Sequence, residues 1–114
     1  MSVNQFISKA SKRQAKKAEI KEIDIEKTYC QHAVSKGCKA LKLIILNKKG
    51  FPDRTTLCPG ARILFIEFKR KGKKLSAAQV LVKKLLMSFG FEYYVCDTIG
   101  QAEAHLNRFL EYDF

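Results

Sequence analysis

The stretch RILFIEFKR, residues 62–70, has the composition of a buried β-strand but carries a carboxylate and an ammonium among its hydrophobic residues. Side chains alternate between the two faces of a strand, so Glu67 and Lys69 share a face with Phe65. An isolated charge is costly to remove from water unless a partner compensates it. The stretch therefore predicts a central strand whose two charges either form a surface pair or have a specific partner.

The turns and hydrophobic periods around this strand predict the other elements. In chain order, these are a helix over residues 22–37, strands over 39–46, 51–58 and 62–70, a helix over 76–89, a strand over 91–96 and a helix over 98–110. Three consecutive strands joined by short turns indicate a meander. The order α-β-β-β-α-β-α predicts an α/β fold in which helices flank a mixed four-stranded sheet.

Length and charge favour a single domain that binds a polyanion. The chain has 114 residues, 46% of them hydrophobic, which is enough for one compact core. Its 22 lysines and arginines exceed its 11 acids and give a net charge of +11. This balance favours nucleic acid first and an anionic membrane surface second. No hydrophobic run approaches the roughly 20 residues of a membrane span, so we expect no membrane insertion.

The first 21 residues are strongly basic and contain one acid, Glu19. We predict a basic N-terminal arm over residues 1–21 and a folded domain over residues 22–114. The arm either binds a partner or is a solvated terminus. The basic residues of the arm that we predict to contact nucleic acid are Lys12, Arg13, Lys16 and Lys17.

The four cysteines, at positions 30, 38, 58 and 96, are widely spaced and form no CxxC pair. This spacing disfavours a zinc site or a disulfide framework. We predict reduced thiols that act as small hydrophobic residues in a cytoplasmic protein.

Two further acids are candidates for a site at Glu67. Asp53 lies in the preceding strand, and hairpin pairing places it across from Glu67. Two adjacent carboxylates repel each other unless a cation lies between them, and Mg²⁺ prefers such oxygen ligands. Lys69 would neutralise negative charge that develops on a phosphate. Glu26 projects from the apolar face of the first predicted helix, between Ile23 and Cys30.

Three motifs occur in order: GFPDR at residues 50–54, FIEFK at residues 65–69 and LSxxQ at residues 75–79. Together they resemble the PD-(D/E)XK nuclease superfamily, most closely its virus-type replication-repair nuclease (VRR-NUC) branch. The resemblance extends over nearly the whole chain after the basic arm. It implies a restriction-endonuclease-like core and a DNA endonuclease that depends on Mg²⁺ or Mn²⁺.

The resemblance also implies a role for each site residue. Asp53 and Glu67 would ligate the metal together with the backbone carbonyl of Phe68, and Lys69 would position the attacking water. Glu26 would be the helix-borne acid near the metal and a possible further ligand. Gln79 would support the site from the following helix. From the residues alone, Gln79 equally fits a capping box with Ser76.

Branched DNA and a second copy of the chain are the expected partners. By analogy with small stand-alone members of the branch, we expect a homodimer that cuts four-way junctions in a bacterial cell or phage-infected host. The alternatives are a non-catalytic basic nucleic-acid-binding module and a flap or nicking repair nuclease. Outside the arm, the residues that we predict to contact nucleic acid are Lys42, Arg54, Arg70, Lys71, Lys73 and Lys74. Lys42 resembles a lysine common in the family, but a solvated strand charge is an equal alternative.

Overall fold

The computed structural model describes the backbone of residues 14–111 and the side chains of residues 24–111. Its helices and strands follow the predicted order. They are α1 (Gln14–Ser35), β1 (Lys39–Leu41), β2 (Arg54–Cys58), β3 (Arg62–Phe68), α2 (Ala77–Ser88), β4 (Glu92–Cys96) and α3 (Ile99–Glu111). Helix α1 runs through the predicted boundary between residues 21 and 22. The division into a basic arm and a folded domain stays a prediction.

The four strands form one sheet in the order β1-β2-β3-β4. The first three pair antiparallel as a meander, and β4 pairs parallel to β3. The predicted mixed sheet is therefore confirmed, and β3 has a partner on both sides. Register is set by the pairs Thr55–Phe65 and Phe65–Tyr93, which place these three side chains on one face of the sheet.

The alternation of β3 divides the core into two layers. Leu64 and Ile66 are buried with Tyr29 of α1 and Leu106 of α3. On the opposite face, Phe65 packs with Val82 and Leu86 of α2 and with Tyr93 of β4. Each fully buried aliphatic side chain contributes roughly 1.5–3 kcal/mol of transfer free energy. Glu67 lies on the α2 side, because it is two residues from Phe65.

The predicted strand over residues 39–46 is wrong beyond Leu41. Continued pairing with β2 would set residues 43 and 44 opposite Asp53 and Pro52. Pro52 has no N–H to donate, and the N–H of Asp53 donates to the side chain of Glu67 instead of to a strand. The segment after Leu41 therefore lacks a ladder partner and is irregular and exposed.

The ends of two other predicted strands are also corrected. Strand β2 begins at Arg54 rather than at residue 51, because Asp53 lies in a bend. Strand β3 ends at Phe68 rather than at residue 70, although the N–H of Lys69 still donates to the carbonyl of Cys96 at 2.9 Å. Lys69 is thus fixed at the carboxyl end of β3.

All four cysteines are free thiols, as predicted. Three of them are buried, and Cys30 is half-buried. Among the helices of the described residues, none is long and apolar enough to cross a membrane.

Candidate active site

The carboxylates of Asp53 and Glu67 interlock at the carboxyl end of β3. The N–H of Asp53 donates to Oε1 of Glu67 at 3.1 Å. In return, the N–H of Phe68 donates to Oδ2 of Asp53 at 2.8 Å. The register that pairs Arg54 with Ile66 places the two acids opposite each other, as hairpin pairing predicts. Each carboxylate is oriented by a backbone N–H of the segment opposite.

Gln79 holds the second oxygen of Glu67. Its Nε2 donates to Oε2 of Glu67 at 3.0 Å, while its Oε1 accepts the N–H of Ser76 at 2.8 Å. The N–H of Gln79 donates to Oγ of Ser76 at 3.2 Å, which completes the capping box of α2. One carboxamide thus contacts both the helix cap and the carboxylate of Glu67, and the role of Gln79 in the site stays a prediction.

Glu67 occupies an environment that disfavours its charge. Its exposed fraction is 2%. Burial, followed by the nearby Asp53, raises the pKa of Glu67 from 4.5 to about 7. The N–H of Asp53 and the ammonium of Lys69 oppose this rise in the pKa without cancelling it. A cation between the carboxylates would relieve both causes.

Glu26 joins the site through Arg54. Its Oε1 accepts a hydrogen bond from Nε of Arg54 at 2.7 Å, and both side chains are mostly buried. Arg54 is the first residue of β2 and directly follows Asp53, so this ion pair joins α1 to the backbone next to the first carboxylate. Across the described residues, no group of three or more acidic, histidine or cysteine side chains could hold a metal. The cluster is a pair of carboxylates, and Glu26 lies beside it.

Tyr93 is a neighbour that the sequence did not reveal. Its hydroxyl is buried and has no hydrogen-bond partner in the described part of the chain. Burial raises the pKa of Tyr93, and the charges of Glu67 and Asp53 raise it further. The ammonium of Lys83 lies 5.8 Å from the centroid of the Tyr93 ring. Alternation in β4 could have indicated the face, but a parallel pair joined by a helix has no turn that fixes its register.

Basic side chains occupy the segments next to the carboxylates in the chain. The exposed lysines of the loop between β3 and α2 are Lys71, Lys73 and Lys74, and Arg70 beside them is half-buried. Lys42 is exposed and borders, together with Asp53, a cavity of about 220 Å³. Of the predicted arm contacts, Lys12 and Arg13 lie outside the described residues, and the side chains of Lys16 and Lys17 are not among those described.

Known proteins resemble this chain in sequence and in fold. No protein-family model matches the sequence. A curated relative, a putative nuclease p44 from Acyrthosiphon pisum secondary endosymbiont phage 1, is 30% identical over 79 residues, which cover 69% of this chain and 85% of the relative. A solved structure described as a VRR_NUC domain matches with a TM-score of 0.72 at 21% identity and covers 78% of this chain and 97% of its own. The chain belongs to the virus-type replication-repair nuclease (VRR-NUC) family.

Proposed function

We propose that the protein is a DNA endonuclease that hydrolyses phosphodiester bonds with Mg²⁺ or Mn²⁺. The observation that carries this proposal is the pair of interlocked carboxylates, Asp53 and Glu67, of which the second is buried at a cost to its ionised form. Structural ion pairs place opposite charges together, whereas this site places two like charges together beside one lysine. The name of the phage relative, a putative nuclease, supports the same activity.

The residues present fit a hard divalent cation. Asp53 and Glu67 each use one or two of their lone pairs in the contacts described, which leaves oxygen lone pairs for a ligand. These two carboxylates and the backbone carbonyl of Phe68 would hold the ion. Because no third acid belongs to the cluster, water and the phosphate of the substrate would complete its coordination. The bound ion would supply Lewis-acid activation of water and of the phosphate.

The protein's own groups orient the reactants. Gln79 and the N–H of Asp53 fix the plane of the Glu67 carboxylate, so it cannot rotate away from a ligand. Lys69 places a positive charge at the end of β3, where it holds the attacking water and neutralises charge that develops on the phosphate. The exposed lysines of the next loop bind the flanking phosphates. Hydrolysis in this site needs no covalent intermediate on the protein.

Glu26 holds Arg54 and would have to exchange this partner for the cation to become a ligand. In the arrangement present, the Glu26–Arg54 ion pair helps to fix the backbone at Asp53, because Arg54 is the next residue in the chain. A Glu26→Gln variant that retains the hydrogen bond to Arg54 should keep most of its metal affinity. A large loss of metal affinity would instead indicate direct ligation by Glu26.

Branched DNA and a homodimer complete the proposal. A two-fold dimer would present two active sites to two strands of a four-way junction. A nuclease for flaps or nicks is the alternative within the same chemistry. A basic module that binds without cutting is the alternative outside it, but carboxylates facing a phosphate would weaken such binding in the absence of a cation.

A substrate panel tests these proposals. Labelled four-way junction, flap and linear duplex are incubated with Mg²⁺, with Mn²⁺ or with EDTA, and oligomeric state is measured by sedimentation velocity. We expect cleavage that requires metal, is strongest on branched DNA and is lost in Lys69→Ala. Lys84→Ala is the matched control, because it removes an exposed lysine of α2 and should leave cleavage intact. Binding without cleavage under every condition would overturn the nuclease proposal.

A further inference from the structure

The segment after β1 exposes aliphatic side chains beside the carboxylates. Leu43 and Ile45 are each 38% exposed, whereas Ile44 and Leu46 are 88% and 87% exposed. Single exposed hydrophobic residues are common, whereas contiguous exposed apolar patches mark binding surfaces, and residues 43–46 form an uninterrupted exposed aliphatic run. We call residues 42–50 the apolar loop.

The structure holds this loop away from the sheet. Its ladder partners are unavailable, since Pro52 lacks an N–H and Asp53 donates to Glu67. The N–H of Lys48 donates to the carbonyl of Ile45 at 3.2 Å, and Asn47 has a φ of 62°. This turn places Leu46 at the tip of the loop.

The base of the loop is anchored next to the site. A Cβ added to Gly50 would lie 2.6 Å from the backbone C and O of Ala78 and 2.8 Å from the backbone N of Gln79. Only glycine permits such a close approach, and its φ of 91° also favours glycine. The backbone of the loop therefore packs on the helix turn whose Gln79 holds Glu67. The loop and Asp53 also line the same cavity.

The charge of the loop favours a polyanionic partner. Lys42, Lys48 and Lys49 flank the exposed aliphatic residues, and residues 42–52 contain no acid. Contact of the loop with itself in a second copy would bring these like charges together, which is unfavourable. A nucleic acid presents phosphates for the lysines and an apolar surface between its base pairs, and proteins that distort DNA insert aliphatic side chains between base steps.

We propose that the apolar loop reads branched DNA, with Ile44 and Leu46 inserted between base pairs at the branch point and the three lysines on the adjacent phosphates. The inserted side chains open the stack and lead the released strand across the cavity to Asp53. This inference rests on the proposed nuclease function and adds the element that selects the substrate structure. Base stacking is continuous in linear duplex, so insertion of the loop there would carry the free-energy cost of unstacking an intact base step.

The test measures unstacking without cleavage. The full chain is titrated, in EDTA, into a four-way junction that carries 2-aminopurine at the branch and into a linear duplex with the same label. We expect the wild type to increase the fluorescence only at the branch. The double variant Ile44→Ser and Leu46→Ser should lose this increase. Its ratio of junction affinity to duplex affinity should fall at least about tenfold, because burying even one aliphatic side chain is worth slightly more than a factor of ten.

The matched control is the double variant Leu81→Ser and Phe89→Ser, which removes exposed apolar side chains from α2 and from the residue that caps its C-terminus, and which should keep the wild-type affinity ratio. Far-UV circular dichroism verifies that both variants are folded. Unchanged unstacking by the variant Ile44→Ser and Leu46→Ser would overturn the inference. Conversion of a wild-type dimer to a monomer in this variant would also overturn it, because the loop would then belong to a subunit contact. The same titration repeated in Mg²⁺ separates the two proposals. Cleavage without unstacking would overturn only the proposed role of the loop, and unstacking without cleavage would overturn only the proposed nuclease activity.

Discussion

Raising the pH should destabilise the metal-free protein, because Glu67 must then ionise in a site that disfavours its charge. Burial, followed by Asp53, raises the pKa of Glu67 from 4.5 to about 7. When the folded pKa lies above the unfolded pKa, the stabilisation is fully present below the unfolded value and is lost as the pH rises through the folded value. A tenfold change in proton affinity is worth about 1.4 kcal/mol, so the full loss amounts to roughly 3 kcal/mol.

A loss of this size is measurable, since domains of this kind have free energies of unfolding of roughly 5–15 kcal/mol. Urea unfolding followed by far-UV circular dichroism, in EDTA between pH 5 and pH 8, gives the free energy of unfolding at each pH. A glutamine at position 67 cannot ionise, so the Glu67→Gln variant should show little of the decline in the free energy of unfolding with rising pH. The histidines are common to both proteins, so the difference between their two pH profiles isolates Glu67.

Asp53→Asn separates the two causes of the shift. An asparagine oxygen can still accept the N–H of Phe68, so the variant removes the charge of Asp53 while retaining its hydrogen bond. The pKa of Glu67 should then be raised by burial alone, and the pH dependence should lie between those of the wild type and Glu67→Gln. A wild-type profile that is as flat as that of Glu67→Gln, or that rises from pH 5 to pH 8 relative to it, would refute the reasoning.

Three further predictions test the contacts of the site. In Glu67→Gln, the new amide N–H faces the N–H donor of Gln79, whereas Glu67→Gln combined with Gln79→Glu restores a donor facing an acceptor. Urea unfolding should show that the double variant recovers about 1–2 kcal/mol of the free energy of unfolding lost in Glu67→Gln. Cleavage should not recover. Gly50→Ala should cost about 2–4 kcal/mol, since its Cβ would overlap the backbone of α2, but Gly72→Ala, with a similar φ and open space, should cost only about 1–2 kcal/mol. Lys69→Met should lower the single-turnover cleavage rate about 10²–10³-fold while leaving DNA binding within a few-fold, and a small effect on the rate would exclude Lys69 from the chemistry.

The fold and the centre of the site were predictable because both depend on short-range rules. Strand alternation assigned Phe65 and Glu67 to one face and Ile66 to the other, and the structure has the same division. A hairpin with a short turn fixes its register, so the distance along the sequence was enough to place Asp53 across from Glu67. Serine followed three residues later by glutamine predicted the cap of α2.

Other contacts could not be predicted, since they depend on which partner is nearest in space. Helical periodicity indicated the inward face for Glu26 but not its bond to Arg54. Parallel pairing brought Tyr93 beside Glu67, although 25 residues separate them. The run LIIL has a strong strand propensity, yet propensity cannot show that the opposing N–H groups are used elsewhere.

The bend at residues 52 and 53 links the chemistry of the site to the exposure of the apolar loop. Had the N–H of Asp53 joined the β1–β2 ladder, Glu67 would lose a donor that lowers its pKa, and the carboxylates would lose their fixed orientation. Because this N–H turns toward Glu67 instead, the segment opposite has no ladder to join, and Ile44 and Leu46 stay in solvent.

A variant that disrupts the Asp53–Glu67 contact should therefore also alter the apolar loop. Hydrogen exchange of residues 42–46 in Glu67→Ala, which removes the acceptor, tests this coupling: slower exchange would show that the freed N–H lets the strand extend, and unchanged exchange would show that Pro52 alone holds the loop out.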